Sequence, residues 1–125
     1  MTLHALVVDD SRSMRMILSR IMASIGAEVS EAGDGRQALE LLRGGLRADV
    51  ILVDWNMPEM DGLTFLRHLR ADDALSGIPA MMVTTETESH QIEAALQAGA
   101  NEYVVKPFDE AGIMSKLALI GVLCP

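Results

Sequence analysis

Five short apolar stretches punctuate the chain, and between them apolar residues return every three or four positions. Residues 3–8 are apolar apart from His4 and run into Asp9-Asp10. Residues 50–53, Val-Ile-Leu-Val, are continuously apolar and run into Asp54, and Pro58 and Gly62 then turn the chain. A short β-branched run bounded by turn residues reads as a strand buried on both faces. Residues 28–32 alternate instead, which suits a strand nearer an edge. Residues 80–84 and 103–105 complete the set, the last stopped by Lys106-Pro107.

The segments between read as helices. Ser11 offers an N-cap to one carrying Met14, Ile17, Leu18, Ile21 and Met22, and Gly26 ends it. Asp34-Gly35 reads as a turn, followed by a helix whose inner face is Ala38, Leu39, Leu41 and Leu42, closed by Gly44-Gly45. Leu63, Phe65, Leu66 and Leu69 mark a third helix, with Arg67 and Arg70 on its outer side, and residues 72–77 form a polar loop. After the polar stretch 85–91, Ile92, Ala95, Leu96 and Ala98 define a fourth helix ended by Gly99. Ile113, Leu117 and Ile120 define the last, which carries Gly112 and Gly121 and is weakened by them.

Strand and helix thus alternate five times, which predicts an α/β fold with a parallel sheet and helices on both faces. Right-handed crossovers leave few topologies, and the flavodoxin-like order 2-1-3-4-5 is the usual one for five units. At 125 residues the chain is one domain, residues 1–125, with no linker or repeat and no effector domain expected. A net charge of −8 and a pI near 4.7 argue against nucleic-acid binding, which needs clustered Lys and Arg, and leave open a divalent cation or a basic partner. Cys124 has no internal partner, and no apolar run is long enough to span a bilayer. With no leader evident, a cytoplasmic protein is expected.

The predicted topology brings the strand ends together. Asp9 and Asp10 follow the first strand and Asp54 the third; Thr84 closes the fourth, and Lys106 follows the fifth. All converge on one edge of the sheet, and the topological switch point between strands one and three lies among the three carboxylates. Three carboxylates in one cleft repel one another unless a cation joins them, and oxygen ligands with room for waters suit Mg²⁺. A carboxylate is also a nucleophile toward phosphorus. The charge that develops on the phosphoryl oxygens needs a metal, an ammonium and a hydroxyl as donors, and Lys106 and Thr84 supply two of these.

Val8-Asp9-Asp10-Ser11, Asp54-Trp55-Asn56-Met57-Pro58-Glu59-Met60-Asp61-Gly62, Thr84 and Tyr103-Val104-Val105-Lys106-Pro107-Phe108 together resemble the response-regulator receiver domains of two-component systems, and within them the single-domain chemotaxis receivers. The resemblance runs over essentially the whole chain. It implies that Asp54 accepts a phosphoryl group from a sensor histidine kinase (CheA-like). It implies that Asp10, Asp54 and the backbone carbonyl of Asn56 hold Mg²⁺, with Asp9 acting mainly through a metal-bound water. Lys106 would pair with a phosphoryl oxygen, and Thr84 would hydrogen-bond another. Tyr103 would rotate from exposed toward buried as Thr84 moves, a two-state element biased by a local charge. Asn56 and Glu86 would tune phosphoryl lifetime, and the Lys106-Pro107 bond would be cis. The output face would span the fourth helix, fifth strand and last helix, about residues 88–123, and dock a protein such as a flagellar switch component.

The remaining residues read more plainly. Trp55 covers a strand end and makes an optical reporter. Of the nine methionines most, Met14, Met81 and Met82 among them, read as core. His4 belongs to a strand, and His68 and His90 to helix surfaces. Arg12 and Arg15 balance the acidic pair. The expectation is therefore a monomeric stand-alone phosphorylation switch, not an enzyme beyond its own phosphoryl uptake and release, with no nucleic acid and no membrane insertion. Alternatives are a receiver outside chemotaxis or a phosphate sink. A small-molecule aspartyl-phosphate phosphatase would need an acid–base carboxylate two residues after the nucleophile, where Asn56 stands. A flavin binder would need a neutral phosphate loop after the first strand, where Asp9-Asp10 stand.

Overall fold

In a computed structural model, which describes residues 2–85 and 88–122, the chain runs β1 (His4–Val8), α1 (Arg12–Ser24), β2 (Glu28–Ala32), α2 (Gly35–Arg43), β3 (Val50–Val53), α3 (Gly62–Ala71), β4 (Ala80–Thr84), α4 (Ser89–Ala98), β5 (Glu102–Val105) and α5 (Glu110–Leu119). All four strand pairings are parallel, in the order β2-β1-β3-β4-β5. The fold is the flavodoxin-like one expected from the sequence.

Strand alternation divides the core into two layers. Leu6, Val8, Ile51, Val53, Ala80 and Met82 face α2, α3 and α4, where Leu39, Leu42, Phe65, Leu66, Leu69 and Ala95 meet them. Ala5, Val7, Val50, Leu52, Met81 and Val83 face α1 and α5, meeting Leu18, Met22, Ile113 and Leu117. With helices on both faces, β3 is buried along its whole length, which is why its sequence shows no alternation. Met81 and Met82 lie in the core as expected, and Met14 is half-buried.

Side-chain oxygens start four of the helices. Ser11, Asp34, Asp61 and Asp109 accept the backbone N–H groups of Met14, Gln37, Thr64 and Gly112. Asp34 is therefore an N-cap and Gly35 the first residue of α2, where a plain turn was expected. Ile17, Leu41 and Leu96, read as part of apolar helix faces, are 45%, 40% and 45% exposed. Each sits at the rim of an apolar arc wider than the strip of helix the sheet can cover. Helix α4 starts at Ser89, inside the expected polar stretch, and Gly121 lies beyond α5 with φ +80°.

Arg70 is not an outer-side residue. Its guanidinium donates to the carbonyls of Ser76, Ile78 and Gly99 and to Asn101 Oδ1, at 2.7–3.0 Å. Asn101 Oδ1 in turn accepts the Ala80 N–H (2.9 Å). This one side chain ties α3 to the entrances of β4 and β5. His4 lies in β1, and His68 and His90 are exposed on α3 and α4, as expected. Glu86, Leu123 and Cys124 lie outside the described residues.

Candidate functional site

The carboxyl ends of β1, β3, β4 and β5 are neighbours, and each places one polar group at the same edge. Strand pairing fixes the positions of their backbones. The Asp9 N–H donates to Ala32 O (3.1 Å), the Asp54 N–H to Val8 O (2.9 Å) and the Lys106 N–H to Thr84 O (2.8 Å). Asp9, Asp54 and Lys106 are thus the first residues past their strands, held by the last bond of each ladder. The Lys106-Pro107 peptide is cis, as expected.

Asp9 and Asp54 are buried and Asp10 is exposed at the mouth. One carboxylate oxygen from each comes within 4.8 Å of the others. Lys106 Nζ stands between two of them, 3.1 Å from Asp9 Oδ2 and 3.5 Å from Asp54 Oδ2. The other oxygens are oriented by backbone donors. Asp54 Oδ1 accepts the Trp55 N–H (2.7 Å), and Asp9 Oδ1 accepts the Ser11 N–H (2.9 Å). Burial pushes the Asp54 carboxyl above its ordinary value. The Lys106 ammonium opposes that rise, the Asp9 carboxylate adds to it, and the hydrogen bonds from Trp55 and Lys106 oppose it; the net direction is upward.

Outside this cluster lies a cleft of about 510 Å³ lined by Asp10, Asn56, Met57, Pro58 and Asp61. The three carboxylates offer oxygen ligands, which a hard divalent cation takes. The cluster fits such an ion. Thr84 is fully buried at the end of β4, and Tyr103, at 6% exposure, is already turned into the fold, where an exposed starting position was expected. Asn56, Thr84 and Tyr103 each make further interactions.

Arg15 does more than offset charge. Its Nη1 donates to Asp9 O (2.7 Å) and its Nε to Glu31 (3.1 Å), so it buttresses the β1 end from outside. Arg12 is exposed and takes no part in the cluster. The reach of Arg15 from α1 back six residues to the end of β1 is invisible in a helical pattern, because helix faces repeat every three or four residues.

Residues 5–118 match the profile of the response regulator receiver domain. The chain belongs to the response regulator receiver domain family. This receiver domain is 42% identical over 116 residues to the chemotaxis protein CheY1 of Helicobacter pylori, an alignment covering 92% of this chain and 94% of the relative. It is 42% identical over 113 residues to the chemotaxis protein CheY-3 of Vibrio cholerae, covering 90% and 86%. The solved structure of the chemotaxis protein CheY4 of Vibrio cholerae superposes on it with a TM-score of 0.89 at 35% identity, covering 96% of this chain and 99% of that one. Among the described residues of the receiver domain, no helix is long and apolar enough to cross a membrane.

Proposed function

We propose that this receiver domain is a stand-alone response regulator that takes a phosphoryl group on Asp54 from a histidine kinase and then docks on another protein in chemotaxis. The observation that carries the reading is the Lys106 ammonium held between the Asp9 and Asp54 carboxylates, with Asp10 completing the acidic cluster. Relatives named as chemotaxis proteins support the chemotaxis part.

Asp54 Oδ2 is the attacking atom in this scheme. Its bond to phosphorus forms as the phosphorus–nitrogen bond to the donor histidine breaks, and that electron pair leaves with the imidazole. The product is an acyl phosphate. Lys106 exchanges its contact with Asp54 Oδ2 for one with a phosphoryl oxygen, and the Thr84 hydroxyl moves to a second oxygen. Asp10, Asp54 and the Asn56 carbonyl would hold Mg²⁺, with Asp9 behind them. When bound, that ion supplies neutralisation of the carboxylates and of the incoming phosphoryl charge. Asn56 and Glu86 set how long the product survives water. As Thr84 moves, Tyr103 follows, and the α4–β5–α5 face changes toward its partner, a flagellar switch component. The domain is a switch and not an enzyme acting on other molecules, monomeric, and works in the cytoplasm beside its CheA-like kinase.

Trp55 reports on the test. Mg²⁺ is expected to change its fluorescence, and beryllofluoride or acetyl phosphate to add a saturable second change that Asp54→Asn abolishes. A phosphate-sensitive gel of the acetyl-phosphate-treated protein should show one retarded band, absent in the variant. A folded wild-type protein that gives neither the second change nor the band would refute the acceptor role. Turnover of common phosphomonoesters would favour the phosphatase reading instead.

A further inference from the structure

The loop between β3 and α3 carries Asn56 and lines the cleft, and its backbone holds a conformation it would not keep alone. Its base is closed by the Gly62 N–H on Trp55 O (2.8 Å). At its far side the Met60 N–H bonds to Pro58 O (2.6 Å), a three-residue turn centred on Glu59. Glu59 has φ +65°, the one positive φ at a non-glycine among the described residues. An L side chain rarely adopts that region, and it persists where surrounding contacts over-determine it.

Such a contact comes from α2. The Gly35 N–H, the first of that helix, donates to Met60 O (3.2 Å). Asp34 fixes the start of the helix by capping Gln37 (2.8 Å). The seat exists only because residue 35 has no side chain. A Cβ there would stand 3.0 Å from Met60 O, 3.1 Å from Met60 Cγ and 2.9 Å from Phe65 Cβ. Met60 O is the acceptor itself, so a methyl group would push away the atom that the helix holds.

We propose that Gly35 is a positioning residue for the metal-holding loop: its bare backbone seats the Met60 carbonyl on the first turn of α2, which keeps Glu59 in its left-handed turn and Asn56 at the mouth of the carboxylate cluster. The inference rests on the reading that the Asn56 carbonyl is a metal ligand. It makes an element remote from the carboxylates a determinant of Mg²⁺ affinity. Glu59 has a separate part, because the turn needs its φ and not its side chain.

The experiment is a Mg²⁺ titration of the whole chain, followed by Trp55 fluorescence and independently by calorimetry, on wild type, Gly35→Ala, Glu59→Pro and Glu59→Gly. Proline fixes φ near −65°, which excludes the turn, whereas glycine adopts a positive φ without steric cost. Gly35→Ala and Glu59→Pro are expected to weaken Mg²⁺ binding at least fivefold while circular dichroism stays native. Glu59→Gly is expected to bind within twofold of wild type, which a general loosening of the loop or loss of the carboxylate would not give. If Gly35→Ala fails to fold, Glu59→Pro at an exposed position decides alone. Folded Gly35→Ala and Glu59→Pro proteins that bind Mg²⁺ within twofold of wild type would overturn the proposal and leave the metal site standing. A wild type that binds no Mg²⁺ by either method would overturn the metal site and this inference together.

Discussion

Asp54 holds a charge that the fold does not favour. Burial, reinforced by the Asp9 carboxylate, raises its carboxyl above the ordinary value despite the nearby Lys106. A group whose folded-state value is raised contributes stability that is complete below its unfolded value and is lost as pH rises through its folded value. Metal-free protein should therefore lose stability as the pH climbs from the ordinary carboxylate range through the raised value of Asp54. Asp54→Asn removes that charge while keeping a similar shape. Its thermal midpoint is expected to exceed that of wild type at neutral pH without Mg²⁺, and the gap should close toward acid pH. Melting curves across that range check this; an equal or lower midpoint for the variant at neutral pH would refute it. The same imbalance makes the site ready for a cation, which relieves the crowding of like charges.

At the level of helices and strands, Arg70 shows how a side chain can be structural without any sign in the pattern of apolar positions. It donates to three carbonyls and an amide oxygen at the amino-terminal ends of β4 and β5, the edge opposite the carboxylates. Gly99, with φ +120°, lies against it, and a Cβ there would collide with the Arg70 side chain. Arg70→Met is expected to cost about 2 kcal/mol, because the half-buried Ile78 and Gly99 carbonyls lose a charged donor. Urea unfolding measures that, and Mg²⁺ affinity should stay within twofold, since the site lies at the other edge. The elements themselves were legible because each strand is a short apolar run or, in β2, an alternating one, and each helix has a periodic face. Asp9, Asp10, Asp54, Thr84 and Lys106 were legible as a group because topology alone brings strand ends together. Arg70, the Arg15 contact with Asp9 O and the seat of Met60 on Gly35 were not, because each joins residues whose separation along the chain carries no periodic signal.

Across the whole molecule, the site and the proposed output face share one strand pair. Thr84 is the last residue of β4, it pairs in register with Val105, and its carbonyl accepts the Lys106 N–H (2.8 Å). Tyr103 pairs two residues earlier with Met82 and is turned inward in this structure. In the proposed scheme a shift of the Thr84 side chain toward a phosphoryl oxygen would act on the strand that carries Tyr103, and α4 and α5 flank that strand. For a switch of this kind the acceptor chemistry and the response of the face are separable, because different atoms carry them. Thr84→Ala keeps Asp54, Lys106 and the acidic cluster but lacks the hydroxyl. It is expected to take up phosphoryl from acetyl phosphate and to answer beryllofluoride at Trp55. Its amide signals over residues 102–105 should nonetheless move several-fold less than those of wild type. Two-dimensional NMR of both proteins, with and without beryllofluoride, gives the comparison. Equal shifts over β5 in the variant would mean that the signal reaches the output face without Thr84, with the Lys106 backbone bond as the remaining route.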